Sequence, residues 1–194
     1  MAEINPKSIC LIAAAERNMG IGIDGDLPWN LPNELNYFIS KVTAVSTPGK
    51  KNLLICGRRS CLPSYLSAPN CYFVVLSRTL SAVPDNANYL CQNLNSALQL
   101  TSIPPLSEEI ETIWVIGGAK LFEEASKHPW CERIYLTEIM ADLDCDTFFP
   151  QLDFHNTFKL VEGFPGVPKE IQEENGIKYK FQVFQKVPSS GSEN

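Results

Sequence analysis

Short apolar runs separated by turn residues recur along this chain. Four of them are continuous and are followed closely by glycine, serine or arginine; they lie at 9–15, 53–56, 72–76 and 113–116. Continuous apolar runs of this length are typical of central strands that are buried on both faces of a parallel sheet. The first half of the chain therefore predicts a buried parallel sheet.

The later segments alternate between apolar and polar residues. The pattern at 134–139 is partial, whereas 179–184 alternates cleanly and predicts an antiparallel strand near an edge of the sheet. Four candidate helices lie between the strands, at 33–43, 59–65, 95–100 (capped by Asn93 or Asn95) and 119–126. Strands separated by helices indicate an α/β fold with a mixed, mainly parallel sheet.

Domain organisation follows from the same pattern. Residues 1–187 are expected to form one domain, because no proline- and glycine-rich loop leaves enough chain on both sides for a second core. The small, polar residues of 188–194 predict a flexible tail. The run 9–15 has the length of a signal-peptide core, but no cluster of positive charge precedes it, so a buried strand is the better interpretation.

Composition and charge argue against several functional classes. The 194 residues carry a formal net charge of −6 with both signs interspersed, which disfavours a nucleic-acid-binding protein. No apolar run approaches the roughly 20 residues of a membrane-spanning helix. The seven cysteines include no Cys-x-x-Cys pair, so free thiols in a reducing compartment such as the cytoplasm are expected. The chain has only two histidines, and no metal site is expected.

Three strand ends carry residues that suit phosphate groups. Gly117 and Gly118 follow the run 113–116, and paired glycines let a ligand approach the backbone at the start of the next helix. Two guanidinium groups lie in 57–60 (Gly-Arg-Arg-Ser), and a Ser-Arg pair lies at 77–78. Each alone could be an ordinary turn. Because ligands gather at the carboxyl ends of parallel strands, three such ends together suggest a ligand with several phosphates.

The segment 20–25 matches the Gly-x-Gly-x-x-Gly pattern of dinucleotide-binding proteins. That match requires a helix that begins inside the motif. Leu-Pro-Trp follows at once at 27–29, so an irregular, flexible loop over a site is the better interpretation.

Glu34 is the candidate for acid–base chemistry. It falls in the first turn of the predicted helix 33–43, beside apolar residues that include Leu35 and Phe38. A carboxylate among apolar side chains is either paired or has a raised pKa, and such groups cluster at functional sites. The alternative is a solvated glutamate favoured by the helix dipole, which from the sequence alone is the commoner case.

In order and spacing, these features resemble the animal-type dihydrofolate reductases over about residues 9–186. The most specific stretch is NMGIGIDGDLPW at 18–29, which leads to Glu34 with one residue fewer than the family has. LLICGRRS, VVLSR, WVIGGAKLF, CDTFFP and QEENGIKYKF follow in the family's order. The resemblance implies a mixed, mainly parallel sheet of about eight strands with four flanking helices. It also implies hydride transfer from NADPH to C6 of 7,8-dihydrofolate, protonation of N5, and inhibition by antifolates.

The resemblance further implies which residues serve the two ligands. Glu34 is implied to orient the pterin, and Trp29 to order a water that delivers the proton. The implied substrate contacts are Ile12, Ala13, Ala14, Leu27, Glu34, Leu35, Phe38, Ser60, Ile116 and Thr137. The implied NADPH contacts are Ala14, Gly20, Ile21, Gly22, Asp26, Leu27, Gly57, Arg58, Arg59, Ser60, Leu76, Ser77, Arg78, Ile116, Gly117, Gly118, Ala119, Lys120 and Leu121. No metal ligand is implied, and a monomer is expected because no long apolar stripe is left unexplained.

Departures from the family's pattern gather at two edges of the site. Cys71 stands where the family has an arginine that grips the α-carboxylate of folate's glutamate tail, and Cys61 replaces a usual aromatic residue. Gln92 stands where animal enzymes often have an arginine for the 2′-phosphate, and Phe122 replaces a common tyrosine. These changes predict an intact pterin end with weaker binding of the tail.

Two other functions stay open at this point. A reductase of another pterin or of a flavin precursor would tolerate the loss of the tail-binding arginine, but it has less reason to keep Glu34 beside Leu-Pro-Trp. A non-enzymatic relative could keep the fold to bind a ligand, a protein partner or RNA, although the net charge of −6 speaks against RNA.

Overall fold

The computed structural model describes residues 6–60 and 70–188. In chain order its elements are β1 (Ser8–Ala15), β2 (Gly20–Gly22), α1 (Pro32–Thr43), β3 (Lys51–Gly57), β4 (Cys71–Leu76), β5 (Tyr89–Cys91), α2 (Leu94–Leu100), α3 (Leu106–Glu109), β6 (Ile110–Val115), α4 (Ala119–Ser126), β7 (Cys131–Ile139), β8 (Thr147–Phe148), β9 (Phe158–Leu160), β10 (Gln172–Glu174) and β11 (Ile177–Lys186).

The central sheet is mixed and mainly parallel. Its order is β10-β11-β7-β1-β6-β3-β4-β5, and β9 pairs with the C-terminal part of β11. The six strands from β7 to β5 run parallel to one another, whereas β11 is antiparallel to β7, β9 and β10. The predicted α/β class, with about eight strands and four helices in the described residues, is therefore confirmed.

Most predicted elements lie within three residues of the observed ones at each end. The exception is the helix predicted over 59–65. Where the structure describes that segment, residues 58–59 form a turn, and the backbone N–H of Ser60 donates to the Gly57 carbonyl at 2.9 Å. The rest of the predicted helix and residues 189–194 of the predicted tail lie outside the described residues. Alternation along 179–184 correctly predicted the antiparallel strand β11.

Strand alternation divides the core into clusters on opposite faces of the sheet. Along β1, Ile9 and Leu11 belong to the cluster that packs against α2 and α4, whereas Cys10 and Ile12 belong to the cluster that packs against α1. The residues of a strand alternate between its two faces, so this division follows directly from the sequence of β1. The run 9–15 is a buried central strand, as predicted.

Asn52 fixes the C-terminal end of α1 to the sheet. Its side-chain amide donates to the carbonyls of Val42 at 2.8 Å and Ala44 at 2.9 Å, and its oxygen accepts from the Thr112 backbone N–H at 3.2 Å. Asn52 is fully buried on β3, so a partner for each polar atom matters to stability. One side chain thereby sets the position of α1 over β3 and β6.

The thiols of Cys10, Cys71 and Cys131 are buried and unbridged, as their apolar neighbours predict. Burial raises the pKa of Cys71 and of Cys131 to about 11, so both thiols stay protonated at neutral pH. Over the described ranges, no helix combines the length and apolar character needed to cross a lipid bilayer.

Candidate active site

Glu34 lies in the first turn of α1 with its side chain turned into the protein. It is only 8% exposed, and the hydroxyl of Thr137 on β7 donates to Oε1 of Glu34 at 3.0 Å. The alternative of a solvated helix-terminal glutamate is therefore wrong. The turn at the start of α1 faces the aromatic residues around β7 and β11, and this packing buries the carboxyl group.

Burial raises the pKa of Glu34 to about 7. The hydrogen bond from Thr137 opposes this shift, and the negative charge of Glu174 adds to it. The carboxyl group can therefore gain or lose a proton near neutral pH, as acid–base catalysis requires. A carboxylate accepts several hydrogen bonds, of which Thr137 supplies one. A flat ring with adjacent N–H donors is chemically suited to the others.

Aromatic side chains surround the carboxyl group. Tyr37, one turn after Glu34, stacks on Phe181 with ring centroids 3.8 Å apart, and Phe181 is the register partner of Thr137. The indole Nε1 of Trp29 and the hydroxyl of Tyr37 are buried without a hydrogen-bond partner among the described residues. An unpaired buried polar group costs roughly 1–3 kcal/mol. Both atoms therefore fit a site that receives polar ligand atoms.

Several residues implied as substrate contacts meet on the α1 side of the sheet. Ile12 belongs to one apolar cluster there, with Phe38 and Ile116 packed against it. Ala14 packs against the neighbouring cluster that contains Trp29. Leu35 is half-buried on α1.

Three other residues implied as substrate or NADPH contacts have different surroundings. The side chain of Ala13 packs against the cluster on the opposite face of the sheet from Glu34, because it alternates with Ile12 along β1. Leu121 is buried in that same cluster. Leu27 is 51% exposed. Only backbone atoms of Ala13 are thus available on the Glu34 side.

The ends of β3 and β6 meet at Ser60. The backbone N–H of Gly57 donates to the Gly117 carbonyl at 2.8 Å, and a cis peptide bond joins Gly117 to Gly118. A Cβ atom on Gly117 would lie 3.1 Å from Cβ of Ser60, and one on Gly118 would lie 3.2 Å from its Oγ. A side chain at either position would press on Ser60, and at Gly117 it would also require a strained positive φ, so glycine is favoured at both positions and keeps the backbone accessible to a ligand.

The end of β4 joins this group through Arg58. Its Nη1 donates to the Thr79 hydroxyl at 3.3 Å, and the Ser77 hydroxyl accepts from the Thr79 backbone N–H at 3.2 Å. Arg58, Arg59 and Arg78 are exposed, and none of them pairs with a carboxylate in the described part of the chain. The three strand ends chosen from the sequence are thus brought together. Glycine backbone beside accessible guanidinium groups fits the phosphates of NADPH.

The segment 20–25 contains no helix, as predicted, but it is not irregular. Gly20–Gly22 pairs with β8, and Ile23 pairs with Asp26 around a tight turn. The ordering depends on Gly20, because a Cβ atom there would lie 2.3 Å from Sγ of Cys145. The expectation of an irregular loop is therefore wrong: glycine allows close pairing with the segment before β8.

Sequence reasoning missed two acidic residues that organise the site. Glu16, 2% exposed, accepts hydrogen bonds from the backbone N–H groups of Asn18 at 2.8 Å and Gly20 at 2.9 Å. Glu174 accepts from the backbone N–H of Asn33 in α1. Only the Asn-Gly pair after Glu174, a hairpin signal, pointed towards the second contact.

Comparisons with known proteins agree with this geometry. The family model for dihydrofolate reductase matches residues 8–186. The dihydrofolate reductase of Rattus norvegicus is 42% identical over 185 residues, covering 91% of this chain and 96% of that protein. The viral dihydrofolate reductase of Saimiriine herpesvirus 2 is 38% identical over 184 residues, covering 91% and 84%. The solved structure of Schistosoma mansoni dihydrofolate reductase superposes with a TM-score of 0.81 at 32% identity, covering 94% of this chain and 100% of that one. The chain therefore belongs to the dihydrofolate reductase family.

Proposed function

We propose that this chain reduces 7,8-dihydrofolate to 5,6,7,8-tetrahydrofolate with NADPH, and that Glu34 orients the pterin and promotes protonation of N5. The family's reaction is NADPH-dependent reduction of dihydrofolate, and membership supports the same reaction here. The observation that carries the residue assignment is the buried Glu34 carboxyl, whose pKa burial raises to about 7.

Glu34 acts on the pterin by hydrogen bonding and by charge. Its carboxylate accepts from the ring N–H and amino groups, while Thr137 holds one of its oxygens in place. A single buried negative charge favours positive charge on the ring and so raises the basicity of N5. Trp29 borders the same space, and its buried indole N–H suits the binding of a water that carries the proton.

The remaining parts of the site exclude water and hold two flat rings together. Ile12, Phe38 and Ile116 supply an apolar wall on the Glu34 side. NADPH, when bound, supplies the hydride. The backbone at Gly117 and Gly118 is assigned to its pyrophosphate region. Exposed guanidinium groups near the ends of β3 and β4 are assigned to its other phosphate.

We propose that residues 1–187 form one domain, that the protein is monomeric and cytoplasmic, and that it does not bind nucleic acid. Buried thiols such as Cys10 and Cys131 support a reducing compartment, and the net charge of −6 supports the last assignment. Antifolates occupy the pterin site in this family and are expected to inhibit this chain.

The proposed function is tested by following NADPH absorbance with purified protein. Oxidation of NADPH that depends on dihydrofolate and stops with methotrexate is expected. NADPH binding without turnover would favour a non-enzymatic relative. Turnover of a pterin without the p-aminobenzoyl-glutamate tail, and none of dihydrofolate, would favour a different pterin reductase.

Cys71 places a thiol where the resemblance implies a cation for the folate tail. It is the first residue of β4 and is 8% exposed, and its Sγ–H donates to the Val42 carbonyl at 3.3 Å. The thiol is thus turned towards the C-terminal end of α1. Because the thiol stays protonated and uncharged, it does not balance the negative charge of a carboxylate in the folate tail.

The variant Cys71→Arg is expected to lower KM for dihydrofolate by roughly ten- to a hundredfold, the value of one charged hydrogen bond. KM for a pterin substrate without a glutamate tail should not change, because only the tail meets the new cation. Steady-state kinetics with both substrates measures this difference, and Cys71→Ala is the matched control for loss of the thiol. Equal changes for both substrates would show that Cys71 does not face the tail.

A further inference from the structure

Helix α1 is capped by a residue from the far end of the chain. Leu31 occupies its N-cap position and makes no side-chain hydrogen bond to the helix. The carboxylate of Glu174 takes that role instead, accepting from the backbone N–H of Asn33 at 3.0 Å through Oε1 and at 2.9 Å through Oε2. An oxygen acceptor at this place satisfies a backbone donor that has no partner inside the helix, and its charge complements the helix dipole.

A tight turn holds Glu174 in this place. Asn175 and Gly176 have φ angles of 51° and 76°, which are the left-handed values of a two-residue hairpin between β10 and β11. The side-chain amide of Asn175 donates to the Asn30 carbonyl at 2.8 Å. Consecutive residues of the hairpin thus contact both the segment before α1 and its first turn, where Glu34 lies.

Tyr179 contacts Glu174 and interacts electrostatically with Glu34. Its hydroxyl donates to Oε1 of Glu174 at 3.5 Å, and its ring is almost fully buried beside Trp29 and Phe181. Burial raises the pKa of Tyr179, and the charges of Glu174 and Glu34 raise it further. The pKa of Tyr179 therefore depends on the charges of both carboxylates.

We propose that Glu174 is a positioning residue for the reaction: its carboxylate caps α1 from the β10–β11 hairpin, fixes the turn that carries Glu34, and places a negative charge near the Glu34 carboxyl group. The inference rests on the proposed function, because Glu34 is the residue it positions. The cap fixes the turn that carries Glu34 against β7, and the charge disfavours a second negative charge nearby.

Among the titratable groups that face Glu34 in the described part of the chain, Glu174 is the one that carries a charge affecting the pKa of Glu34. Tyr37 faces it from α1, Tyr179 faces it from β11, and Thr137 on β7 is not titratable. Glu138 on β7 pairs in register with a lysine on β11, on the alternate face of both strands. Among the described residues, the charge of Glu174 is the one that shifts the pKa of Glu34.

The test compares Glu174→Gln with Glu173→Gln. The first variant keeps an oxygen acceptor for α1 and removes the charge. The second removes the same charge from the exposed neighbour on the same strand. In Glu174→Gln, the high-pH limb of kcat/KM and the NMR titration of the ¹³C-labelled Glu34 carboxyl are both expected to move to lower pH, by several tenths of a pH unit. In Glu173→Gln, both should stay in place.

Identical Glu34 titrations in wild type and Glu174→Gln, or equal shifts in the two variants, would overturn the proposal. The NMR titration needs no turnover, so it gives an answer even if the wild-type protein fails to reduce dihydrofolate, which would overturn the proposed function instead. A third variant, Glu174→Asp, keeps the charge but draws it back from Asn33. It should titrate like wild type while its Tm falls by roughly 2–4 °C, the size expected for a weakened cap.

Discussion

Replacement of Glu34 by glutamine is expected to lower kcat/KM for dihydrofolate by roughly a hundredfold or more near pH 7. Glutamine has nearly the same shape and can still accept the hydrogen bond from Thr137, so the fold should survive. It lacks the negative charge that favours a protonated ring. Stopped-flow measurement of hydride transfer in Glu34→Gln tests this, with Glu138→Gln on the exposed face of β7 as control. Near-normal turnover in Glu34→Gln would contradict the assigned role.

The same substitution should stabilise the protein above neutral pH. The folded pKa of Glu34 is about 7, above its ordinary value of 4.5, so the folded chain favours the protonated form. The protonated carboxyl group therefore contributes to the free energy of unfolding. This contribution is fully present below pH 4.5, is lost progressively as the pH rises to 7, and is absent above pH 7. A shift of this size corresponds to a loss on the order of 3 kcal/mol.

Urea denaturation of wild type and Glu34→Gln at pH 5 and pH 8 measures this effect. The variant should gain stability relative to wild type as pH rises. If the difference in free energy of unfolding between the two proteins is the same at both pH values, burial does not raise the pKa of Glu34. The expected pair of results, lower activity with higher stability at pH 8, is typical of a catalytic group held in an unfavourable environment.

Replacement of Gly117 by alanine is expected to abolish most NADPH binding. Gly117 has a φ of 136°, a backbone conformation that alanine adopts only with strain, and the added Cβ would lie 3.1 Å from Cβ of Ser60. Strain of roughly 1–3 kcal/mol should lower stability. Displacement of the strand end from its place beside the cofactor should weaken NADPH binding by about ten- to a hundredfold. Equilibrium titration of nicotinamide fluorescence measures this loss.

Gly49→Ala is the matched control for backbone strain. Gly49 also has a positive φ, of 86°, but a Cβ atom there meets no atom within 4 Å, and the residue is exposed. This variant should lose some stability while its Kd for NADPH stays at the wild-type value. Equal Kd values for Gly117→Ala and wild type would show that the end of β6 is not part of the cofactor site.

Short continuous apolar runs made most of the fold predictable. Runs such as 53–56 and 113–116 are typical of buried strands, which they form here, and the turn residues that follow them mark the strand ends. Strands of two or three residues, such as β2 and β8, show no periodicity, because pairing between distant segments forms them. The same reason explains why the ordered hairpin at 20–25 was mistaken for an irregular loop.

The candidate site was predictable in residue type but not in orientation. The environment of Glu34 includes residues far along the chain, such as Thr137, which donates to its carboxyl group, and Glu174, whose charge raises its pKa, so local sequence favoured the wrong, solvated interpretation. The residues of the apolar wall were implied only by the resemblance to the family. Ala13 was one of these residues, but alternation along β1 places its side chain on the opposite face of the sheet. The Asn-Gly pair after Glu174 marks the hairpin, but no local pattern pairs this carboxylate with α1, because its partner is 141 residues away.

That separation has a consequence for the nascent chain. A ribosome adds roughly 5–20 residues per second, so Glu174 is synthesised about 7 to 28 seconds after Asn33. Until then, the first turn of α1 lacks its acceptor, and β11 is not present to pair with β7. The pterin site is therefore incomplete on a growing polypeptide. A folate analogue can bind and stabilise a destabilised variant only after the β10–β11 hairpin has been synthesised.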